Sequence, residues 1–491
     1  MLKGTTKIEL TDVHTGETQV IEKHNAITGA LQELFNPVLG HLTSASTLTS
    51  QIPVHSSLLG GMLLFDSRIE GDPLPIFAPE GVKLVGCARY NFANTLGSTY
   101  MGSYDLNESV ISVEEKKAKF VYNFTQAQAN GTINSVCLTH INGGFGGYRG
   151  DTNAKQVEKR LTDTIYSSPT TKLVRNKKDR TTTVTVSTTD EYLYAIDVDN
   201  DVAHYFRLAS ATTLVVLKRR LGIKQFSLFG GNDAIVGEPV TITLSQAVNT
   251  NSNSSNTYFF NVEDQALYFI TTVVGVNTTN VPAGSKFLIT RYKIGETTAT
   301  QTEITNAHTS SLNIASACVY RGRVYAAGAS SSVTVENFTL NSYPIISHAL
   351  ADGSYTTHGT ITGSSVSSSF VEPMVAFDGR IYWQTVQNNA PAHTGLHVTD
   401  CTAPLGEAST TVCGVDTLEY NTYAGSPYPV GCTPVIGHPM IVYTSNQANN
   451  TTYTEGFRFF THYLGTINNL PNAIVKAPSQ TMKITYTIQE V

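Results

Sequence analysis

Three groups of residues in this 491-residue chain have types and spacing that could do chemistry. Asp197, Asp199 and Asp201 alternate as Asp-x-Asp-x-Asp, which could line three carboxylates along an extended loop around a calcium ion. A calcium loop of the EF-hand kind also needs a glycine at its sixth position and a glutamate at its twelfth. Both are missing, so a solvated hairpin turn is the favoured reading. His393-Thr-Gly-Leu-His397, followed by Asp400 and Cys401, offers ligand types for zinc. On one strand the two histidines would share a face but stand more than about 10 Å apart, so only a loop could bring them to one ion. The six cysteines, Cys87, Cys137, Cys318, Cys401, Cys413 and Cys432, show no Cys-x-x-Cys pair. They read as reduced, half-buried thiols.

The motifs of covalent and phosphate chemistry are absent: no Gly-x-Ser-x-Gly elbow, no His-Glu-x-x-His helix, no phosphate-binding glycine loop. Sialidase-like propellers carry repeated Ser-x-Asp-x-Gly-x-Thr-Trp boxes, and none occurs. A carboxylate pair for glycoside hydrolysis cannot be assigned from sequence. No catalytic residue, metal or cofactor is therefore expected. Binding is the expected mode of action, and aromatic side chains beside polar loops are its natural carriers, because tyrosine stacks on sugars and hydrogen-bonds. The candidates for glycan or partner contact are Tyr420, Tyr423 and Tyr428 in the Tyr- and Gly-rich loop 419–432, Tyr258 beside the Asn/Ser/Thr loop 247–257, and Trp383. Plain solvent exposure of those loops is the competing reading.

The elements that would position such loops are strands. Charged residues make up only 14% of the chain, well below the usual quarter, and Thr, Ser, Asn and Gly fill the gap. With 24 tyrosines and one tryptophan, this composition favours an all-β protein over a helical enzyme. A net charge of −6 gives no case for nucleic-acid binding. The basic runs Lys172, Arg175, Lys177, Lys178, Arg180 and Lys218, Arg219, Arg220, Lys224 read as solvated strand faces or a linker. Contact with an anionic polymer is the alternative. Met1-Leu-Lys-Gly-Thr-Thr has no apolar stretch of the secretory kind, and no run of 18 apolar residues exists, so neither a signal nor a membrane span is expected.

Five segments repeat one plan, an apolar approach, a short polar turn and a strand with tyrosine at its heart. They are Val186–Ile196, Phe260–Ile270, Val319–Ala327, Ala376–Gln384 and Val435–Tyr443. Arg321-Gly-Arg-Val-Tyr325 and Asp378-Gly-Arg-Ile-Tyr382 are the clearest pair. Hairpins recurring at roughly 40–60 residues are the mark of a β-propeller. Five to seven blades follow, since one could hide in 222–250, and Tyr194, Tyr268, Tyr325, Tyr382 and Tyr443 should hold equivalent places in them. Stacked β-sandwiches with ordinary hairpins are the alternative.

The two chain ends read as further strands. Met482, Ile484, Tyr486 and Ile488 alternate with Lys483, Thr485, Thr487 and Gln489, and Gly4–Val13 alternates likewise. His14-Thr-Gly-Glu17 has turn chemistry, and Thr18–Glu22 returns as a second strand. Asn25 would cap a short helix carrying Ile27, Ala30, Leu31, Leu34 and Phe35, stopped by Pro37. The phrases Lys3-Gly-Thr-Thr-Lys-Ile-Glu-Leu-Thr-Asp12, Lys119–Thr139, and Thr466-Ile-Asn-Asn-Leu470 with Gln480–Thr487 together resemble the ends of virion structural proteins, of tail, baseplate or fibre type, from tailed phages and prophages of Firmicutes. The resemblance covers 1–40, 116–140 and 460–491 and leaves the middle of the chain untouched.

The resulting expectation is an all-β chain. Residues 1–150 with 455–491 would form a jelly-roll-like β-sandwich for attachment, and 151–454 an inserted β-propeller-like display domain. The resemblance implies a phage particle component at the tail tip, baseplate or fibre, assembled in the bacterial host cytoplasm and then resident in the virion. Its partners would be other virion proteins, further copies of itself as a homo-oligomer, and a host cell-surface glycan. A head fibre or decoration protein, a propeller glycosidase or depolymerase, and a contractile bacteriocin component are the alternatives.

Overall fold

The computed structural model describes residues 2–29, 59–70, 82–94, 99–112, 114–139, 184–221, 234–250, 256–276, 280–335, 338–363, 370–377, 379–386, 396–401, 410–412, 428–439, 441–448, 452–459 and 463–490. The chain divides into two compact units, Met1–Thr162 with Phe460–Val491, and Asp163–Phe459. The strands among the described residues are numbered β1–β30 along the chain.

The first unit holds β1 (Leu2–Asp12), β2 (Thr18–Ile27), β3 (Gly61–Phe65), β4 (Leu84–Ala88), β5 (Ser103–Tyr104), β6 (Val110–Ser112), β7 (Lys117–Phe124) and β8 (Gly131–Thr139). From the far end of the chain it takes β29 (Thr466–Lys476) and β30 (Gln480–Glu490). All lie in one sheet of order β4-β3-β8-β29-β2-β1-β30-β7-β5, with β6 also on β7. β1 and β30 pair antiparallel from Leu2↔Glu490 to Asp12↔Gln480, with Ile8 opposite Ile484 and Leu10 opposite Met482. The period-two alternation places these four side chains on one face, where Phe120, Tyr122, Phe124, Ile133 and Val136 meet them in a single core.

This unit corrects the jelly-roll sandwich. The sheet curls until its two edges meet, in place of splitting into two layers. Cys87 of β4 and Met101 form a parallel bridge, with Cys87 N–H donating to the Tyr100 carbonyl (2.9 Å) and Gly102 N–H to the Cys87 carbonyl (2.8 Å). The result is a nearly closed, barrel-like sheet. The approach needs Gly102: a Cβ there would lie 2.6 Å from the Phe124 ring. Asn25 is also corrected, because it sits inside β2 opposite Gly4 and caps nothing. Residues 30–37 of the expected helix lie outside the described residues.

Among the described residues the second unit shows five antiparallel sheets in chain order. The first holds β9 (Tyr192–Asp197), β10 (Val202–Ser210), β11 (Thr213–Arg220) and β12 (Val240–Thr243). The second holds β13 (Asn256–Asn261), β14 (Ala266–Thr272), β15 (Lys286–Lys293) and β16 (Thr300–Thr305). The third holds β17 (Leu312–Tyr320), β18 (Arg323–Gly328), β19 (Ser331–Val335), β20 (Phe338–Ala349) and β21 (Tyr355–Gly363). Here β18 and β19 lie end to end against β20. The fourth holds β22 (Phe370–Phe377), β23 (Arg380–Val386), β24 (Leu396–Asp400) and β25 (Thr410–Val412). The fifth holds β26 (Tyr428–Pro434), β27 (Ile441–Ala448) and β28 (Thr452–Phe459).

The first strands of successive sheets touch in a cycle: β9 with β13, β13 with β17, β17 with β22, β22 with β26, and β26 back to β9. A parallel bridge, Ile196↔Val435, with Ile436 N–H donating to the Ile196 carbonyl at 2.8 Å, marks the last contact. This is a propeller-like ring of five sheets among the described residues. Separate cores fill the gaps between neighbours. Tyr192, Phe206, Tyr258 and Phe269 pack between the first two sheets, and Tyr320, Tyr325, Ile381 and Trp383 between the third and fourth. Strands covered on both faces read as continuous apolar runs such as Tyr192–Ile196.

Each first hairpin turns tightly. Tyr320 pairs with Arg323, leaving Arg321 and Gly322 as a two-residue turn with φ of 45° and 71°, the paired positive angles of a type I′ turn. Four of the five tyrosines then fall third in the second strand of their sheet: Tyr268, Tyr325, Tyr382 and Tyr443. Tyr194 does not, and this corrects the expected equivalence. It lies in the first strand β9, because the real turn is Val198–Asp201, one hairpin arm further on. The third residue of β10 is His204.

Candidate functional site

The five first turns are the part of the ring where polar chemistry gathers. In the first sheet, Asp197 accepts from Asn200 N–H (2.9 Å) and Asn200 Nδ2 (2.7 Å), which locks a local turn. The Asp-x-Asp-x-Asp run is thus a hairpin turn, with Asp201 at φ 57° and Asp199 exposed. Asp199 Oδ2 faces the buried His438 Nε2 of the fifth sheet at 3.6 Å.

In the second sheet, Asn261 accepts from Glu263 N–H (3.0 Å) and Asp264 N–H (3.2 Å). Tyr268 donates to Asp264 Oδ2 at 2.8 Å. Tyr320 of the third sheet donates to Glu263 Oε1 at 2.9 Å and accepts Gly379 N–H of the fourth at 2.7 Å. One phenol therefore ties three sheets together. Burial and the neighbouring carboxylates raise both phenols, Tyr268 to about 12 and Tyr320 higher, so both stay protonated donors. Arg321 lies over the Tyr320 ring, 5.5 Å from its centroid, and donates to the Cys401 carbonyl at 3.2 Å.

This end of the ring exposes Asp199, Asn200, Glu263, Gln265, Arg321 and Gly437. Acids and amides come from the first two sheets and a guanidinium from the third. Such a surface can donate to and accept from polyhydroxyl or peptide groups. Among the described residues no group of three or more His, Cys, Asp or Glu is placed to hold a metal ion.

A second polar cluster lies inside the third sheet. Ser347 Oγ and His358 Nε2 are 2.8 Å apart, and Arg323 Nε donates to Ser347 Oγ at 2.8 Å. Arg323 also donates to the Ser354 carbonyl (3.1 Å) and Thr356 Oγ1 (3.0 Å). A serine beside a histidine resembles a nucleophile with its base. Ser347 has no solvent exposure, however, so no substrate can reach Oγ, and the pair serves to satisfy a buried guanidinium. Sequence reasoning missed it because Ser347 and His358 meet across antiparallel neighbours and form no motif.

The proposed contact residues fare unevenly. Trp383 is 0% exposed and part of the core between the third and fourth sheets. Tyr258 is buried, with its hydroxyl donated to the Leu193 carbonyl at 3.0 Å. Neither side chain is presented to solvent, which corrects both assignments: apolar area in a ring of sheets is consumed by the gaps between them. Tyr428 opens β26, and Tyr420 and Tyr423 lie outside the described residues. His393 and Lys172–Arg180 lie outside them too, while His397 is in β24. Of the basic run in β11, Arg219 is held by Glu191 through Nε–Oε2 (2.7 Å) and Nη2–Oε1 (2.8 Å). Cys87, Cys137, Cys318 and Cys401 are buried and Cys432 is half-buried, and none of these five is in a disulfide. No helix among the described residues is long and apolar enough to cross a membrane.

No protein-family model matches the chain, and no curated protein matches it. Solved structures with partial likeness include a prolyl endopeptidase, at 8% identity and TM-score 0.24, covering 91% of this chain and 53% of that one. The chain spans about half the length of that enzyme. The β-propeller domain of the Trilobed protease from Pyrococcus furiosus is similar at 9% identity and TM-score 0.24, covering 72% of this chain and 95% of its own. The Nup133 β-propeller domain of Vanderwaltozyma polyspora is similar at 10% identity and TM-score 0.24, covering 72% and 99%.

Proposed function

We propose that this chain is a bacteriophage virion structural protein. In this reading the nearly closed sheet anchors it to neighbouring virion proteins, and the five-sheet ring is displayed for contact with a host-surface glycan. One observation carries the reading. Segments 2–12 and 480–490 zip together over their whole length at the middle of one sheet, and the ring is inserted between β8 and β29. An anchor closed on itself can hold an insertion whose exposed turns are free to vary in length and composition. The resemblance of the same terminal segments to tail, baseplate or fibre proteins points to the particle. Binding needs only shallow hydrogen bonding, and several copies on one particle multiply weak contacts into attachment.

The test has two parts. Immunogold labelling of particles with an antibody to the ring locates the protein on tail tip, fibre or head. Purified protein incubated with host cell-wall polysaccharide should be retained and should release no reducing ends. Steady release of reducing ends would move the protein to a glycosidase or depolymerase. Absence from the particle would end the virion reading.

A further inference from the structure

Lys476 ends β29 and is 1% exposed. Burying an ammonium without a counter-ion is costly, and buried lysines ordinarily pair with an acid. Lys476 does not, among the described residues. Its Nζ meets Asn130 Oδ1 at 2.7 Å and the Gln126 carbonyl at 3.4 Å, both on the turn between β7 and β8. Desolvation alone pulls this amine down to about 8, so a substantial fraction is neutral and nucleophilic near that pH.

The acceptor lies on an exposed but hydrogen-bonded turn. Asn130 Nδ2 donates to the Gln126 carbonyl at 2.8 Å, which fixes the plane of the side-chain amide. The turn is pinned by Thr125 N–H on Gln128 Oε1 (2.8 Å) and by Ala129 N–H on the Thr99 carbonyl (2.8 Å). β29 and β8 place Lys476 opposite Gly131, the residue after Asn130. A neutral amine at the end of a strand, held against one amide carbonyl on a pinned turn, gains effective concentration for intramolecular acyl transfer.

We propose that Lys476 and Asn130 form an intramolecular isopeptide cross-link. Lys476 Nζ attacks Asn130 Cγ, a new N–C bond forms, the Cγ–Nδ2 bond breaks, and the departing nitrogen takes one proton from Nζ and leaves as ammonia. Electrons balance, and no oxidant or co-reactant is needed. The cross-link joins residues 346 apart in sequence. It encloses the whole of the inserted ring in one covalent loop and closes the β8–β29 ladder at the end away from the ring, so tension that parts the two strands is arrested at a covalent bond.

The test uses the full chain. Purified protein, incubated at a pH above the amine's own titration, is measured by intact mass and then digested and mapped by tandem mass spectrometry. The expected result is a mass one ammonia below that of the sequence, with a branched peptide joining the Asn130 and Lys476 segments. Lys476→Arg keeps the cation but cannot cross-link, and should show the full sequence mass. Gly131 nitrogen could attack the same Cγ and expel ammonia as a linear succinimide. An ammonia loss that persists in Lys476→Arg, or a wild-type map with only linear peptides at both positions, overturns the proposal. The wild-type map alone decides the matter if the variant does not fold.

Discussion

Acid should weaken the five-sheet ring before it weakens any single carboxylate contact, through two buried histidines. His204 and His348 are 3% and 1% exposed, and Nε2 of each makes no hydrogen bond to any described residue. Burial is the main cause that pulls both from 6.5 to about 4. Lys218 adds to it for His204, opposed by Asp197, and Arg323 and His308 add to it for His348. The unfolded chain takes up a proton on each near pH 6.5, while the folded chain refuses it until about pH 4. Unfolding therefore binds protons within this window. Stability is full above pH 6.5 and is lost as pH falls toward 4. Each histidine contributes about 3 kcal/mol across the window, and the pair about 6 kcal/mol. That is comparable to the whole stability of many domains. Trp383 supplies the assay, because it is the only tryptophan of the chain and lies buried in the ring. Urea unfolding followed by its fluorescence at stepped pH should show the midpoint falling through this window. His204→Gln and His348→Gln should each remove about half of the slope. The exposed Asp352, held below its ordinary value by Ser354 N–H, adds a fall of the same sign only at lower pH. A midpoint constant from pH 6.5 to about 4, or one whose slope survives both substitutions, refutes the argument.

Other perturbations test the packing. Tyr320→Phe keeps the ring's shape but strands Gly379 N–H, and should cost about 1–3 kcal/mol with faster hydrogen exchange at Gly379. Unchanged exchange there would mean that the phenol bridges nothing. Ile484→Ala opens a cavity opposite Ile8 in the first unit and should cost about 2–5 kcal/mol, read by circular dichroism melts that leave the Trp383 transition in place. Deleting residues 480–490 uncovers both β1 and β7 and should give insoluble protein; a soluble deletion would show that β1 finds its cover elsewhere. Alkylation of the native protein should label Cys432 well before Cys87, whose thiol burial pushes up to about 12.

Much of the local structure was readable in the residues. Alternation at 4–13 and 481–488 decides which side chains face inward, since neighbouring strand residues point to opposite faces. Each of the two strands then needs neighbours for its backbone groups and a core for its apolar face, which the sequence expectation met by placing both in one β domain. Arg321-Gly322 announced its turn because positive φ at two successive positions suits few residues. The composition, poor in charge and rich in Thr and Tyr, already favoured an all-β protein over a helical enzyme.

What the sequence could not decide was which strands become neighbours. The curl that brings Cys87 to Met101 depends on strand twist accumulated over a whole sheet and on the gap that Gly102 leaves for Phe124, and no local pattern records it. The tyrosine repeat located four second strands but misplaced Tyr194, since His204 holds the place of the missing tyrosine. Trp383 and Tyr258 read as surface aromatics because aromatic type is the same in a core and in a binding loop; only the ring, by stacking sheet on sheet, consigned them to its gaps. Ser347 with His358, and Lys476 with Asn130, are pairs set by register between distant strands. A sequence fixes the period of each strand through local sterics, whereas the partners of a strand are chosen by the long-range burial of its faces, which only the assembled tertiary structure settles.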